Sequence, residues 1–253
     1  MGLDLSLKDF DYIRKDFETE ENRAPFFDMS TKLLETGRRN EAFVLLLATW
    51  NFASFRYVVN KFDLTEFNKS VDKFVCIIQD IKDIKDVHFT DKEFLNLPED
   101  TFVKIAKAFD VLQEYKVDND GRVNPVIGIT GASKLMHLLY PELFIIWDGY
   151  IRGEKSKNAY LNVEQTLLGS GWERRKYTPN GEGYVSFLKK MRDDFGHLIP
   201  EYTANHADNP KPFTKAIDEV NYMGITKHLQ EEEKKKKMEK KLNKKSTNEK
   251  IIS

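Results

Sequence analysis

The sequence predicts an all-α protein, an orthogonal helical bundle around a cleft that contains a hairpin. Three observations favour this fold class. Apolar residues recur at three- and four-residue spacing along most of the 253 residues, stretches of alternating polarity typical of strands do not stand out, and no internal repeat is present. The hydrophobic fraction of 40% and the aromatic fraction of 12% are high enough to form a sizeable core, which excludes wholesale disorder.

The first half of the chain contains four predicted helices. The first lies in "STKLLETGRRN", where we expect Ser30 to be the N-cap and Gly37 to end the helix. Asn40 is a candidate cap for the second, "EAFVLLLATWNFASFRYVVNKF", whose first part is apolar on all faces and therefore predicts a helix at the centre of the bundle. Two amphipathic helices follow, "LTEFNKSVDKFVCIIQDIKDI" and "PEDTFVKIAKAFDVLQEYK", the latter opened by Pro98.

In the second half, "DNDGRVN" predicts a turn and a short helix begins near Ser133. Helices are also expected in "NVEQTLLGSGW", "GEGYVSFLKKMRDDFGHL" and "PKPFTKAIDEVNYMGITKHL". We assign residues 1–230 to one helical domain, which could consist of two subdomains around the cleft. Residues 231–253 form a Lys-rich tail, expected to be disordered or a frayed helix because its hydrophobic content is near zero.

The charge is unevenly distributed along the chain. Residues 234–253 contain nine Lys and two Glu, a charge of +7, so the other residues carry −8 of the total of −1. An acidic body is not typical of a strongly electrostatic DNA-binding protein, although a local basic face would suffice. The tail either adds affinity for phosphates or only improves solubility.

The lone cysteine, Cys76, lies in an apolar run and is expected in the core. One cysteine excludes an intramolecular disulfide, a Cys-based zinc site and a four-Cys iron–sulfur cluster, and it favours a reducing compartment. No secretory signal or membrane-spanning segment is recognisable, so we expect a cytoplasmic protein, nucleoid-associated if prokaryotic. The scattered histidines lack metal-ligand spacing, so neither a metal site nor a cofactor is expected.

The stretch "ITGASKLMHLLYPELFIIWDGYIRG", Ile129–Gly153, contains the candidate functional residues. A turn over Gly128–Gly131 would leave unpaired backbone N–H groups at the start of the next helix, where they can hold a phosphate oxygen. Lys134 would lie in the first turn of that helix, and Asp148 follows four large apolar residues. Either the two side chains face each other across a pocket, or Lys134 is a solvated surface residue and Asp148 caps the next helix.

These residues resemble the helix-hairpin-helix DNA glycosylase superfamily, most closely its 8-oxoguanine DNA glycosylase-like branch. "SKLMHLLYPELFIIWDGYI" is similar to the pattern SKLLxxLxPxLFPIWDxxI of that branch, and the specific resemblance covers about a tenth of the chain. It implies excision of an oxidised purine such as 8-oxoguanine from double-stranded DNA after the nucleotide is flipped into a pocket. Lys134 would be the nucleophile and Asp148 its electrostatic partner, with AP-lyase activity as a further step.

The residues expected to contact the substrate or DNA are Gly128, Gly131, Ser133, His137, Trp147 and Arg152. His137 lies three residues after Lys134, on nearly the same helix face, and either lines the same pocket or is a core histidine. Trp147 or another aromatic residue, with Trp50 and Phe55 as further candidates, would stack on the extruded base. We expect a monomer whose partner is duplex DNA with a damaged base, and no membrane partner. Two alternatives stay open: a non-catalytic helical module that binds nucleic acid or protein and retains the fold, and an enzyme of another helical class.

Overall fold

The computed structural model describes residues 4–21, 24–119, 121–152, 177–208 and 211–252. Helices dominate this part of the chain, which confirms the all-α class. The helices are α1 Leu7–Arg14, α2 Phe17–Glu20, α3 Ala24–Glu35, α4 Arg39–Trp50, α5 Phe52–Phe55, α6 Leu64–Gln79, α7 Glu99–Val111, α8 Ile129–Leu139, α9 Gly181–Phe195, α10 Ile199–Asn205, α11 Phe213–Asn221 and α12 His228–Ile252. The predicted helix at 162–172 lies outside the described residues.

Helix α4 forms the centre of the core, as its apolar sequence predicts. Ala42, Phe43, Leu46 and Leu47 have no exposed surface, and the helix contacts both α3 and α8. The sequence predicts that this helix continues to residue 62, but it ends at Trp50. This early end matters for function because it leaves the Trp50 carbonyl outside the helical hydrogen-bond ladder.

Two of the expected helix boundaries are wrong and one is confirmed. Helix α3 begins at Ala24, so Ser30 lies inside it and its hydroxyl donates to the Phe26 carbonyl at 2.9 Å. Helix α4 begins at Arg39, one residue before its predicted cap Asn40. Gly37 does end α3, with φ of 77°, a left-handed conformation that glycine adopts without steric cost.

One short hairpin accompanies the helices in the described part of the chain. Strands β1 Lys116–Asn119 and β2 Arg122–Pro125 form an antiparallel hairpin around the predicted turn. Asp118 accepts the Gly121 N–H at 2.8 Å, and Gly121 has φ of 81°. Each strand has only four residues, too few for alternation of polarity to be recognised.

Cys76 was expected in the core, and this prediction is wrong. Its side chain is exposed on α6.

The chain is helical without interruption from Phe213 to Ile252. Helix α11 passes into a wider π-helical segment, Tyr222–Lys227, which passes into α12. We call this run the C-terminal rod. Of the two expectations for the tail, a helix and a disordered segment, the structure shows a helix, and residue 231 lies inside α12.

The rod stays helical beyond the core because of its charge order. Three Glu at 231–233 precede four Lys at 234–237, so each Glu has a Lys four residues later, an arrangement that stabilises isolated helices. Lys235 pairs with Glu232 at 3.3 Å. Among the described residues, no helix is both long and apolar enough to cross a membrane.

Candidate active site

Helix α8 begins earlier than the sequence predicts. It starts at Ile129, directly after Gly128, so the expected hairpin turn over Gly128–Gly131 is wrong and Lys134 lies in the second helical turn. Gly128 is half-buried at the N-cap position in an extended conformation, and its missing side chain leaves the helix without a side-chain cap.

Gly131 has a packing role inside α8. A β-carbon added there would lie 3.0 Å from Leu47 Cδ2 and 3.1 Å from Asn51 Nδ2. The glycine thus allows α8 to approach α4 closely, and it is buried away from any DNA contact. Gly131 does not fit the direct role in phosphate binding that was assigned to it.

Lys134 is buried against the end of α4. Its side chain is 9% exposed, its ammonium group donates to the Trp50 carbonyl, and Nζ lies 5.5 Å from the centre of the Trp50 ring. The alternative of a solvated surface lysine is therefore wrong. The early end of α4 supplies the carbonyl that receives the ammonium group.

Asp148 ends an extended segment, as predicted, and both of its carboxylate oxygens are engaged. Oδ1 accepts the backbone N–H groups of Tyr150 at 2.7 Å and Ile151 at 2.9 Å. Oδ2 accepts the hydroxyl of Thr226, which comes from the π-helical segment of the rod. The preceding residues Phe144–Trp147 are all buried, so the carboxylate lies against an apolar wall.

A hydrogen bond joins the residues that directly precede Lys134 and Asp148. The Ser133 hydroxyl accepts the Trp147 backbone N–H at 2.9 Å and donates to the Thr130 carbonyl at 3.0 Å. Since Ser133 precedes Lys134 and Trp147 precedes Asp148, this bond ties the two chain segments together beside the site. Ser133 is fully buried, so its role is this tie and not the predicted DNA contact.

Trp147 and Arg152 are also internal. Trp147 has no exposed surface and stacks on Phe187 with ring centres 5.6 Å apart. Arg152 is 6% exposed and donates to the Trp147 carbonyl at 2.6 Å and to Thr130 Oγ1 at 3.1 Å. This burial does not favour the substrate contacts predicted for the two residues.

Helix α11 adds two charged residues that the sequence analysis missed. Lys215 Nζ binds Asp218 Oδ2 at 2.8 Å and lies 5.2 Å from the centre of the Trp50 ring, the ring that Lys134 also contacts. Burial raises the pKa of Asp218, while the cations of Lys215 and Lys134 lower it and the Asp148 carboxylate raises it. Lys134 and Asp148 therefore both lie within electrostatic range of Asp218.

A signal for these residues exists in "PFTKAIDEV". Helix α11 buries its apolar residues, yet Asp218 lies among them with only 5% exposure. A carboxylate rarely occupies such a position unless it is paired. The amphipathic pattern alone could have indicated Asp218 as an internal charge, although not its partner on α8.

His137 lies one turn after Lys134, on the same side of α8, and is completely buried. Burial, then the Lys215 cation, lowers the pKa of His137 to about 3. The neutral ring donates from Nδ1 to the Phe144 carbonyl at 2.6 Å, and Nε2 has no hydrogen-bond partner in the described part of the chain. His137 is thus an uncharged neighbour of the site and does not contact solvent.

We call Lys134, Asp148, Lys215 and Asp218 the charge cluster. Lys134 and Asp218 are buried and Asp148 and Lys215 are half-buried, beside the indole ring of Trp50. An amine shielded from water suits nucleophilic chemistry. Within the described residues, no group of His, Cys, Asp and Glu has the geometry of a metal site. Comparison with protein-family models, curated proteins and solved structures gives no match.

Proposed function

We propose that this protein is a DNA base-excision glycosylase with AP-lyase activity that removes an oxidised purine such as 8-oxoguanine. The observation that carries the proposal is a shielded Lys134 that, like Asp148, lies within electrostatic range of Asp218, while the Ser133–Trp147 hydrogen bond joins the two chain segments that carry Lys134 and Asp148. The substrate class comes from the sequence resemblance of this same segment.

The chemistry uses the amine of Lys134 as the nucleophile. Neutral Nζ attacks C1′ of the flipped nucleotide, the C1′–N9 bond breaks, and its electron pair leaves with the base, which takes up a proton. Opening of the sugar ring gives a Schiff base to Lys134. Loss of a C2′ proton then expels the 3′ phosphate by β-elimination. Asp148 stabilises the positive charge that develops on the sugar.

Lys215 and Asp218 support the nucleophile in opposite ways. Lys215 places a second ammonium group against the indole ring that Lys134 contacts, so two positive charges lie close together. The Asp218 carboxylate keeps the cluster from excess positive charge, since the four groups sum to zero when all are ionised. The pair thereby positions Lys134 and balances its charge without touching the substrate.

A surface next to this site is suited to DNA. Phe52 and Tyr57 are more than half exposed, and the Arg56 guanidinium lies 4.8 Å from the Tyr57 ring. This segment directly follows Trp50, whose carbonyl binds Lys134. Exposed rings combined with an arginine can stack on unpaired bases and contact phosphates. Trp50 itself replaces Trp147 as the aromatic residue beside the nucleophile.

The test is borohydride trapping on duplexes that carry 8-oxoguanine, uracil, an abasic site or no lesion. We expect a lesion-dependent covalent adduct with the wild type and none with Lys134→Gln. Lys190→Gln is the matched control, since Lys190 is also a buried lysine paired with a carboxylate, on α9. Base release without an adduct would keep the glycosylase and reject Lys134 as its nucleophile.

The non-catalytic binding module is the second candidate. It is favoured by the engagement of both Asp148 oxygens within the protein, one by backbone N–H groups and the other by Thr226. A folded protein that binds duplex DNA but shows neither an adduct nor base release on any lesion would establish this alternative.

A further inference from the structure

The C-terminal rod connects the candidate active site to a basic helix. Its first part, α11, carries Lys215 and Asp218, and its π-helical segment places the Thr226 hydroxyl on Asp148. One turn into α12, Glu233 accepts a hydrogen bond from the Tyr150 hydroxyl at 3.3 Å. Tyr150 also donates its backbone N–H to Asp148, so α12 leaves the body at the Asp148 turn.

The character of the rod changes after this contact. Leu229 in the first turn of α12 is 4% exposed and packs into the core, whereas every residue from 234 to 240 is exposed. Residues 234–252 span about 28 Å as a helix, close to the pitch of one duplex turn of about 34 Å. We call this part of the rod the basic arm.

The composition of the basic arm indicates what it binds. It carries nine Lys and two Glu, while Met238 and Leu242 are its only large apolar residues before residue 251. The helix has no apolar stripe with which to pack on a protein or insert into a membrane interface. A dense cationic surface without such a stripe is complementary to a polyanion, for which counterion release supplies the binding free energy.

We propose that the basic arm is the surface that binds the phosphate backbone of duplex DNA and holds it at the candidate active site. The inference rests on the proposed function for the identity of the polyanion. It adds that the sequence-independent affinity comes from α12 and not from the acidic body. Because the rod also carries Asp218 and Thr226, DNA on the arm contacts the same rigid element that positions Asp148.

The test compares two full-length charge variants on undamaged duplex DNA over a range of salt concentrations. The arm variant replaces Lys234, Lys235, Lys236, Lys237, Lys240 and Lys241 by Gln. The body variant replaces six exposed lysines elsewhere by Gln, namely Lys8, Lys61, Lys82, Lys85, Lys92 and Lys107. Glutamine retains helix propensity, and circular dichroism checks that both variants keep their helix content.

We expect the arm variant to bind at least about tenfold more weakly and its log–log salt slope to fall by about 3 or more, because each lost phosphate contact removes nearly one unit. The body variant should change the slope by less than about 1. Equal changes in the two variants, or an unchanged slope in the arm variant, would overturn the inference. Equally tight wild-type binding to phosphatidylserine vesicles would also overturn it, in favour of a membrane surface.

Borohydride trapping of the same proteins separates this inference from the proposed function. If an adduct forms and the arm variant has the same salt slope as the wild type, the glycosylase activity stands and the arm is not the DNA-binding surface. A slope that falls in the arm variant while no protein forms an adduct would keep the arm as a DNA-binding surface and reject the glycosylase.

Discussion

Lys134 and Lys215 both hold their ammonium groups against Trp50, and Asp218 interacts with both. Lys134 lowers the pKa of Asp218, so the two groups attract each other in their charged forms. Asp218→Asn should therefore shift the half-maximal pH of adduct formation down by about one unit, and Lys215→Met should shift it up by a similar amount.

The measurement is the pH dependence of borohydride trapping on an abasic duplex at saturating protein, with circular dichroism to confirm folding. Lys190→Gln, which removes a buried lysine outside the cluster, should leave the half-maximal pH unchanged. Shifts of Lys215→Met and Asp218→Asn in the same direction would contradict the assigned roles, since they would indicate only a general disturbance of the fold.

His137 leads to a prediction about stability in acid. The folded protein holds its pKa at about 3, below the value of 6.5 of an unperturbed histidine, so only the unfolded chain takes up this proton between these values. The free energy of unfolding should fall as the pH drops below 6.5, by about 1.4 kcal/mol per unit from this residue alone. At pH 7 and above this effect is absent.

Urea unfolding at pH 7 and pH 5 checks this prediction by comparison of the wild type with His137→Asn, whose amide can still donate to the Phe144 carbonyl. The variant should lose less stability between the two pH values. His88→Asn, at a half-buried histidine near α7, is the matched control and should behave as the wild type. An identical pH dependence for wild type and His137→Asn would show that His137 takes up its proton in the folded state as readily as in the unfolded chain.

At the scale of elements, the Ser133–Trp147 hydrogen bond joins α8 to the extended segment that ends at Asp148. Ser133→Ala leaves the buried Trp147 N–H without an acceptor and should lower the free energy of unfolding by about 1–3 kcal/mol. It should also reduce the rate of adduct formation, since Lys134 and Asp148 lose their register. Ser186→Ala, at an exposed helical serine on α9, should change stability by less than about 0.5 kcal/mol.

Chemical unfolding and single-turnover trapping measure the two effects separately. Loss of stability without any change in trapping rate would mean that the tie supports the fold and not the site. Unchanged stability would mean that another group satisfies the Trp147 N–H after the hydroxyl is removed.

Sequence analysis predicted best the helices in which apolar residues recur at helical spacing over a long stretch. Helices α6 and α7 are recovered, and the all-round apolar character of α4 correctly placed it in the core. The four-residue strands were missed because local turn chemistry and pairing decide them, not periodicity. The tail was expected to be disordered or a frayed helix because its hydrophobic content is near zero. Its helix depends instead on the order of its charges, which hydrophobic content does not describe.

The site was only partly predictable for a different reason. The motif singled out Lys134 and Asp148 as candidates, and both lie within electrostatic range of Asp218. Lys215 and Asp218 lie on α11, about 80 residues after Lys134 in the sequence. No local sequence pattern indicates a contact between segments that far apart. Ser133 and Trp147 carried the motif's signal but proved to be internal supports, because a motif does not tell which of its residues point into a cleft.

At the scale of the whole molecule, charge is divided between a body of −8 and a basic arm of +7. The two opposite charges lie in different parts of the chain, so copies can attract each other when salt is low. At 0.15 M salt the Debye length is about 8 Å and the attraction is largely screened. We therefore expect a monomer at physiological salt, and self-association at an ionic strength of about 0.01 M.

Sedimentation velocity of the full-length protein at the two ionic strengths tests this expectation, with the arm and body variants as controls. The arm variant should stay monomeric at low salt because it lacks most of the positive charge. The body variant should associate at least as strongly as the wild type, since its body is more negative by six charges. A wild type that is oligomeric at high salt would instead indicate an apolar interface, and it would refute the monomer that the sequence predicts.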